Sequence, residues 1–330
     1  AAPAGHGLQH QVDRIMRLTT DLLIIGAGPV GLYAAYYAGF RGFNTVVCDT
    51  LPEIGGQISA MYPEKLIYDV AGFPAVRGRD LVVGLAEQAG TFSPHYVLGE
   101  QAVTCESVAD GVLVTTAAGT EIMAKVLLIT AGIGAFTPRP LPAADAFTGE
   151  GIVFFVPKLD IYTDKDVVIV GGGDSAFDWA HSLSPIARSV SLVHRREAFR
   201  AHAGTVERVR AMGVQLITSS EVSAIEGTSH VTGVQITHKV SGATQSLPAD
   251  AVVAALGFIA AIGPLADWGI TLAKRHIVVD TTMATNLPRI YAAGDIATYP
   301  GKVPLIAIGF GEAALAVNNA APLIDPTHGV

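Results

Sequence analysis

A short apolar run, a glycine-rich turn, a helix and a second apolar run follow one another twice in this sequence. The first copy is Asp21-Leu-Leu-Ile-Ile25, then Gly26-Ala-Gly28-Pro-Val-Gly31, a helix over Leu32–Phe40, and Thr45-Val-Val-Cys48 ending at Asp49. The second is Asp166-Val-Val-Ile-Val170, then Gly171-Gly-Gly173-Asp-Ser-Ala176, a helix through Phe177, Trp179, Ala180 and Leu183, and Ser189-Val-Ser-Leu-Val193. Continuous apolar runs without alternation suit strands buried on both faces of a parallel sheet. Each copy is therefore a βαβ unit, and 330 residues are too many for one ordinary core. The expected class is α/β, with two Rossmann-like dinucleotide-binding domains.

Each position in the turn has a physical task. Gly26 allows the tight turn, Gly28 lets the backbone reach a pyrophosphate, and Gly31 lets the helix pack close to the strand. Gly171, Gly173 and Ala176 repeat that spacing, with Asp174 and Ser175 opening the helix. The start of each helix offers unpaired amides and a positive dipole end to phosphate. The two copies differ where the second strand ends. Asp49 is placed to accept hydrogen bonds from ribose hydroxyls, whereas His194-Arg195-Arg196, with Arg200 nearby, suits a 2′-phosphate. The first turn then fits FAD and the second fits NADPH.

A third segment returns to the first ligand. Ile290-Tyr-Ala-Ala-Gly294-Asp295 reads as a short strand ending in Gly-Asp, within reach of a ribityl chain or pyrophosphate. A helix is expected within Leu305–Asn319, beginning near Gly309 to Glu312, with its amino end facing the flavin N1 and O2 region.

Composition excludes several classes. A net charge of -8 argues against general nucleic-acid binding. The two cysteines, Cys48 and Cys105, have no metal-ligand spacing and read as buried filler in a reducing compartment. The longest apolar stretch, Ala251–Ala266, is broken by Gly257, Gly263 and Pro264 and reads as a buried strand with its exit loop. No signal peptide is recognisable in the first residues, so a cytoplasmic location is expected. Ala1–Thr20 reads as a loose tail or a short helix through Val12, Ile15 and Met16. The ten histidines form no metal-type cluster, and no metal site is expected.

These pieces resemble the thioredoxin-reductase-like ferredoxin–NADP⁺ reductases. The resemblance runs from about Thr20 to about Pro326. Its elements are Gly26–Gly31, Glu53-Ile-Gly-Gly-Gln57, Tyr62-Pro-Glu-Lys65, Tyr68-Asp-Val-Ala-Gly-Phe-Pro74, Gly171–Asp178, His194–Arg196 and Gly294-Asp295. It implies an FAD domain (residues 20–135 and 260–330) split by an inserted NADPH domain (residues 138–257), after a tail of residues 1–19, and it implies a homodimer. The connectors are expected around Gly132–Pro142 and Leu256–Pro264. Thioredoxin reductases themselves carry a Cys-x-x-Cys pair shortly before the second glycine turn. Here that stretch reads Phe154-Phe-Val-Pro157, so disulfide exchange is not open to this chain.

The expected chemistry passes a hydride from NADPH to FAD and then single electrons to ferredoxin or a similar carrier. No general acid, base or nucleophile is assigned, because the cofactors carry the reaction. Gly56 is a candidate FAD contact, Gln57 beside it a candidate to hydrogen-bond the isoalloxazine edge, and Gly132 a candidate to close the adenine end. Tyr62 or Tyr68 is a candidate to lie against the ring; the alternative is that both are core aromatics. Lys65, Arg77, Arg79 and Lys302 are candidate docking charges for an acidic ferredoxin. Relatives are expected to carry a ring over the exposed flavin face beyond Val330, with His328 the nearby ring in this sequence; the flavin would otherwise be open to solvent or covered by a partner subunit. Two other readings stand beside the first: a reductase of flavodoxin, a quinone or oxygen, and a non-enzymatic dinucleotide sensor.

Overall fold

The computed structural model describes residues 16–327 and 329. Val12, Ile15 and His328, which figure in the expectations above, lie outside the described residues.

The chain begins with β1 (Arg17–Ile25), α1 (Pro29–Phe40) and β2 (Thr45–Asp49). A short helix, α2 (Gln57–Met61), precedes the hairpin of β3 (Leu66–Ile67) and β4 (Val76–Arg77). Then come α3 (Gly78–Gly90), β5 (His95–Leu98), β6 (Ala102–Val108), β7 (Gly111–Thr116) and β8 (Glu121–Ile129). The main sheet runs β5-β2-β1-β8-β7-β6, parallel from β5 to β8 and antiparallel beyond. Its central strand is hydrophobic throughout its carboxyl half. Leu22, Leu23, Ile24 and Ile25 are all buried in the core of this unit. Each such side chain contributes roughly 1.5–3 kcal/mol relative to exposure.

β1 starts at Arg17, inside the stretch expected to be a tail. Its polar first half pairs with β8 from Arg17↔Glu121 to Thr20↔Ala124, and the Arg17–Glu121 ion pair (2.7 Å) closes the end. No apolar run marked this half, because its pairing partner lies about a hundred residues later in the chain.

A second sheet follows after β9 (Ala135–Pro138): β10 (Ile152–Val153), β11 (Asp166–Val170), α4 (Asp174–Leu183), β12 (Ser189–Val193), α5 (Ala203–Ala211) and β13 (Gln215–Ile217). The antiparallel β14 (Ser220–Gly227), β15 (Val231–His238) and β16 (Thr244–Pro248) form a separate three-stranded layer. β17 (Ala251–Ala254) completes the parallel order β10-β17-β11-β12-β13. The strands and helix expected for the second unit are found with little change in extent.

The chain returns through β18 (Phe258–Ala261), β19 (Leu272–Ala273), β20 (His276–Val278), β21 (Ile290–Ala292), β22 (Ala297–Thr298) and α6 (Ile306–Ile324). β21 pairs parallel with the far end of β8, so the last segment is part of the first sheet. The expected loop connectors are partly structured. β9 and β18 pair antiparallel, from Ala135↔Ala261 to Pro138↔Phe258, and make a two-stranded ribbon between the sheets. Phe258 stacks on Phe155 (5.1 Å between centroids) and meets Phe136 edge-on (6.2 Å). The apolar stretch Ala251–Ala266 is thus a core strand followed by one half of this ribbon.

Candidate functional site

The glycine turn after β1 is held from three sides. The N–H of Gly26 donates to the Cys48 carbonyl, and the Thr130 hydroxyl donates to the carbonyls of Ile25 and Gly26. Gly26 has φ +111°, and a Cβ there would sit 2.4 Å from the Thr130 carbonyl oxygen. A Cβ on Gly31 would lie 1.8 Å from the Gly26 carbonyl oxygen, so Gly31 supports the turn from beneath and does not line the cleft. α1 has Gly28 at its N-cap, Pro29 in its first turn, no side-chain cap and no first-turn acid. Its amino end is therefore open to an anion.

Above that end lies an elongated cleft. Its walls are Gly28, Pro29 and Val30 from the turn; Asp49, Thr50 and Leu51 after β2; Gly56, Gln57 and Tyr62 from α2 and its flanks; and Thr130–Gly132 after β8. Gly294, Asp295 and Ile306 also line it, as do Gln101 and Ala102 where β6 begins. The two glycine turns face each other across it: a Cβ on Gly56 would lie 3.0 Å from the Gly28 Cα. Side chains at either position would fill the space that a pyrophosphate needs.

Asp49 stands at the end of β2. One carboxylate oxygen accepts from the Ala27 N–H (2.6 Å) and the other from the Leu51 N–H (2.8 Å). Burial pushes its carboxyl up, and the two amides pull it back down. The acid thus fixes the turn while facing the cleft. Asp295 is also pushed up by burial, against the opposing charge of Lys302. Tyr62 is pushed up to about 12, first by burial and then by Asp295 and Asp69, so it stays a neutral hydroxyl.

The two tyrosine candidates separate. Tyr62 lines the cleft and also packs against the cores on both sides of the interdomain boundary. Tyr68 is 69% exposed and lies outside the cleft. The Tyr62–Lys65 stretch has a structural meaning the sequence did not reveal. Glu64 is buried and pairs with Arg77 and Arg79. Lys65 reaches Asp178 on α4 (2.5 Å), so it bridges the two dinucleotide units. Lys302 is partly buried and pairs with the buried Glu312. All four expected docking cations take part in ion pairs within the chain, while Lys65 and Arg77 stay exposed and Lys302 is turned inward.

At the second turn, Gly173 caps α4 and Ala176 is buried beneath it, while Ser175 is exposed at its opening. Asp174 accepts from the His202 N–H (3.0 Å) and ties the loop after β12 to the helix start. The guanidiniums of Arg195, Arg196 and Arg200 are exposed, and among the described residues none makes a hydrogen bond or ion pair. The Arg200 N–H donates to the Gly172 carbonyl (2.8 Å), which anchors this arginine beside the turn. His194 behaves differently from its arginine neighbours. Its ring is 7% exposed and lies beneath the turn, where a Cβ on Gly172 would fall 2.3 Å from it. Burial holds the imidazole below its ordinary pKa, and the charges of Arg196, Arg200 and Arg195 add to that. His194 supports the loop from within, and Gly172 provides the room for it.

Cys48 and Cys105 are both free, on β2 and β6. Burial pushes their thiols up to about 12 and about 11, and neighbouring carboxylates add to the shift. At about pH 8 only around one Cys48 thiol in ten thousand is ionised. Iodoacetamide is accordingly expected to leave NADPH oxidation unchanged in the native protein, with mass spectrometry showing neither cysteine labelled until denaturant is added. Fast loss of activity on labelling would contradict this placement. Among the described residues, no group of His, Cys, Asp and Glu is arranged to hold a metal ion.

Residues 20–318 match the pyridine nucleotide-disulphide oxidoreductase family. The chain belongs to that family. The family's chemistry, FAD-dependent oxidoreduction with NADP(H), agrees with the two turns and their different strand ends. The chain is 61% identical to a ferredoxin–NADP reductase of a Nocardioides species over 314 residues, 94% of each sequence. It is 59% identical to the ferredoxin–NADP reductase of Frankia alni, across 92% of this chain and 95% of that protein, and 48% identical to that of Thermus thermophilus, across 93% of each. Among solved structures, thioredoxin reductase from T. acidophilum superposes with a TM-score of 0.75 at 25% identity, covering 94% of this chain and 99% of that one.

Proposed function

We propose that this chain is a ferredoxin–NADP reductase, with FAD in the cleft over the first turn and NADPH on the second. The observation that carries the reading is the contrast between the buried, doubly hydrogen-bonded Asp49 at one strand end and three unpaired arginines at the other. The relatives named ferredoxin–NADP reductase, which match across nearly the whole chain, support the acceptor. The absence of a cysteine pair at Phe154–Pro157 favours an acceptor that takes electrons from the flavin itself.

FAD held there would supply a hydride acceptor for NADPH and a one-electron donor for ferredoxin. The chain's residues bind and orient. The open amino end of α1 and the facing glycines hold the pyrophosphate, Asp49 the ribose, and Gln57 and Tyr62 border the ring; Gly132, Gly294 and Asp295 close the cleft. Arg195, Arg196 and Arg200 take the 2′-phosphate of NADPH. The FAD unit comprises residues 20–135 and 260–330, and the NADPH unit residues 138–257, joined by the β9–β18 ribbon. We also infer a homodimer working in the cytoplasm. Among the described residues no helix is long and apolar enough to cross a membrane.

The test is electron transfer from NADPH with purified carriers. Cytochrome reduction is expected to require added ferredoxin and to fall as salt is raised. An equal rate with no carrier, or with flavodoxin or a quinone in its place, would overturn the assignment of the acceptor and leave the flavin reading intact.

A further inference from the structure

Deep beside the cleft, α6 contributes a carboxylate that no aspect of the expected chemistry uses. Glu312 is 2% exposed. It accepts from the Gly294 N–H (2.8 Å), from the Tyr299 hydroxyl (2.6 Å) and from the Lys302 ammonium. Lys302 in turn donates to the Gly294 carbonyl (3.0 Å). Both backbone polar groups of Gly294 are thus gripped by one largely buried ion pair. α6 comes this close because Gly309 lacks a side chain; a Cβ there would lie 2.5 Å from a Val30 methyl and 3.4 Å from the Gly294 Cα. The next residue, Asp295, lines the cleft.

A buried ion pair is weak evidence for stability, because desolvation offsets much of the attraction. It is better suited to holding a precise backbone geometry, since every donor and acceptor here is satisfied. The Tyr299 phenol is pushed up to about 12, first by burial and then by Glu312, so it remains a donor.

We propose that Lys302 and Glu312 are a positioning pair for the flavin: they fix the Gly294–Asp295 turn against the cofactor and hold the local charge balanced beside it. The inference rests on FAD occupying the cleft, as proposed above. Neither residue needs to touch the cofactor. Removing the carboxylate leaves an uncompensated ammonium, which favours the electron-rich reduced cofactor; removing the ammonium does the opposite.

Apoprotein of the parent, Glu312→Gln, Lys302→Met and the double variant is to be titrated with FAD by flavin fluorescence, and the midpoint potential of each reconstituted protein measured. Each single variant is expected to weaken FAD binding about tenfold. Glu312→Gln is expected to raise the potential and Lys302→Met to lower it, and the double variant to return near the parent value. A merely structural role would not give shifts of opposite sign. Potentials that move the same way, or affinities all within about twofold of the parent, overturn the proposal. Tyr299→Phe provides a milder variant should the others not fold: about threefold weaker FAD binding supports the proposal, and unchanged binding counts against it. If the parent apoprotein takes up no FAD, the functional reading fails and this inference with it; parental uptake with unaffected variants sinks this inference alone.

Discussion

Gly31→Ala is expected to give a folded but nearly colourless protein, with less than about a tenth of the parental flavin per chain. The added Cβ would fall 1.8 Å from the Gly26 carbonyl oxygen and 2.8 Å from the Thr130 hydroxyl oxygen. The first is a backbone atom of the turn and the second the hydroxyl that holds it, and a methyl group has no rotamer with which to escape a backbone atom. α1 must move away from β1, carrying with it the open amides that would hold the pyrophosphate. Gly84→Ala, on α3, is the control. No atom lies within 4 Å of its added Cβ, and it should keep its flavin while gaining about 0.5–1 kcal/mol from helix propensity. Visible flavin absorbance per protein, with circular dichroism to report folding, checks both. Parental flavin content in Gly31→Ala would remove the basis for placing the cofactor at this turn.

The second large effect is on nucleotide choice. Arg195→Ala with Arg196→Ala is expected to raise the KM for NADPH about 100-fold and that for NADH no more than about threefold. Each charge-assisted hydrogen bond to phosphate contributes about 1.5–3 kcal/mol, and the lower end applies because both guanidiniums are exposed and screened by salt. The kcat should change little, since on the proposed reading these side chains would meet the 2′-phosphate and not the reacting carbon. Steady-state kinetics with both nucleotides measures this. Equal rises for the two would mean that the arginines do not read the phosphate.

Both predictions rest on residues that were legible early, whereas several neighbours were not. Tyr62 and Tyr68 carry the same chemistry six positions apart, and nothing local separates the one that lines the cleft from the one that faces solvent. His194 sits in the same tripeptide as Arg195 and Arg196, yet its ring is buried under Gly172. Lys65, Arg77, Arg79 and Lys302 read as free surface charge because their partners are supplied by other elements. Asp178 comes from the second dinucleotide unit, Glu64 from the segment before the β3–β4 hairpin, and Glu312 from the last helix.

The amino-acid order alone determined the two βαβ units, the glycines that permit close approach, and the opposite charges at their strand ends. Those properties are set by hydrophobic period, by the lack of a Cβ and by residues a few positions apart, all of which a linear string contains. The tertiary structure alone decided which charges are neutralised, which ring faces the cleft, and that the two connectors pair as a ribbon. Electrostatic and packing partners depend on distance in space, and that distance exists only once remote segments have been brought together around a shared core.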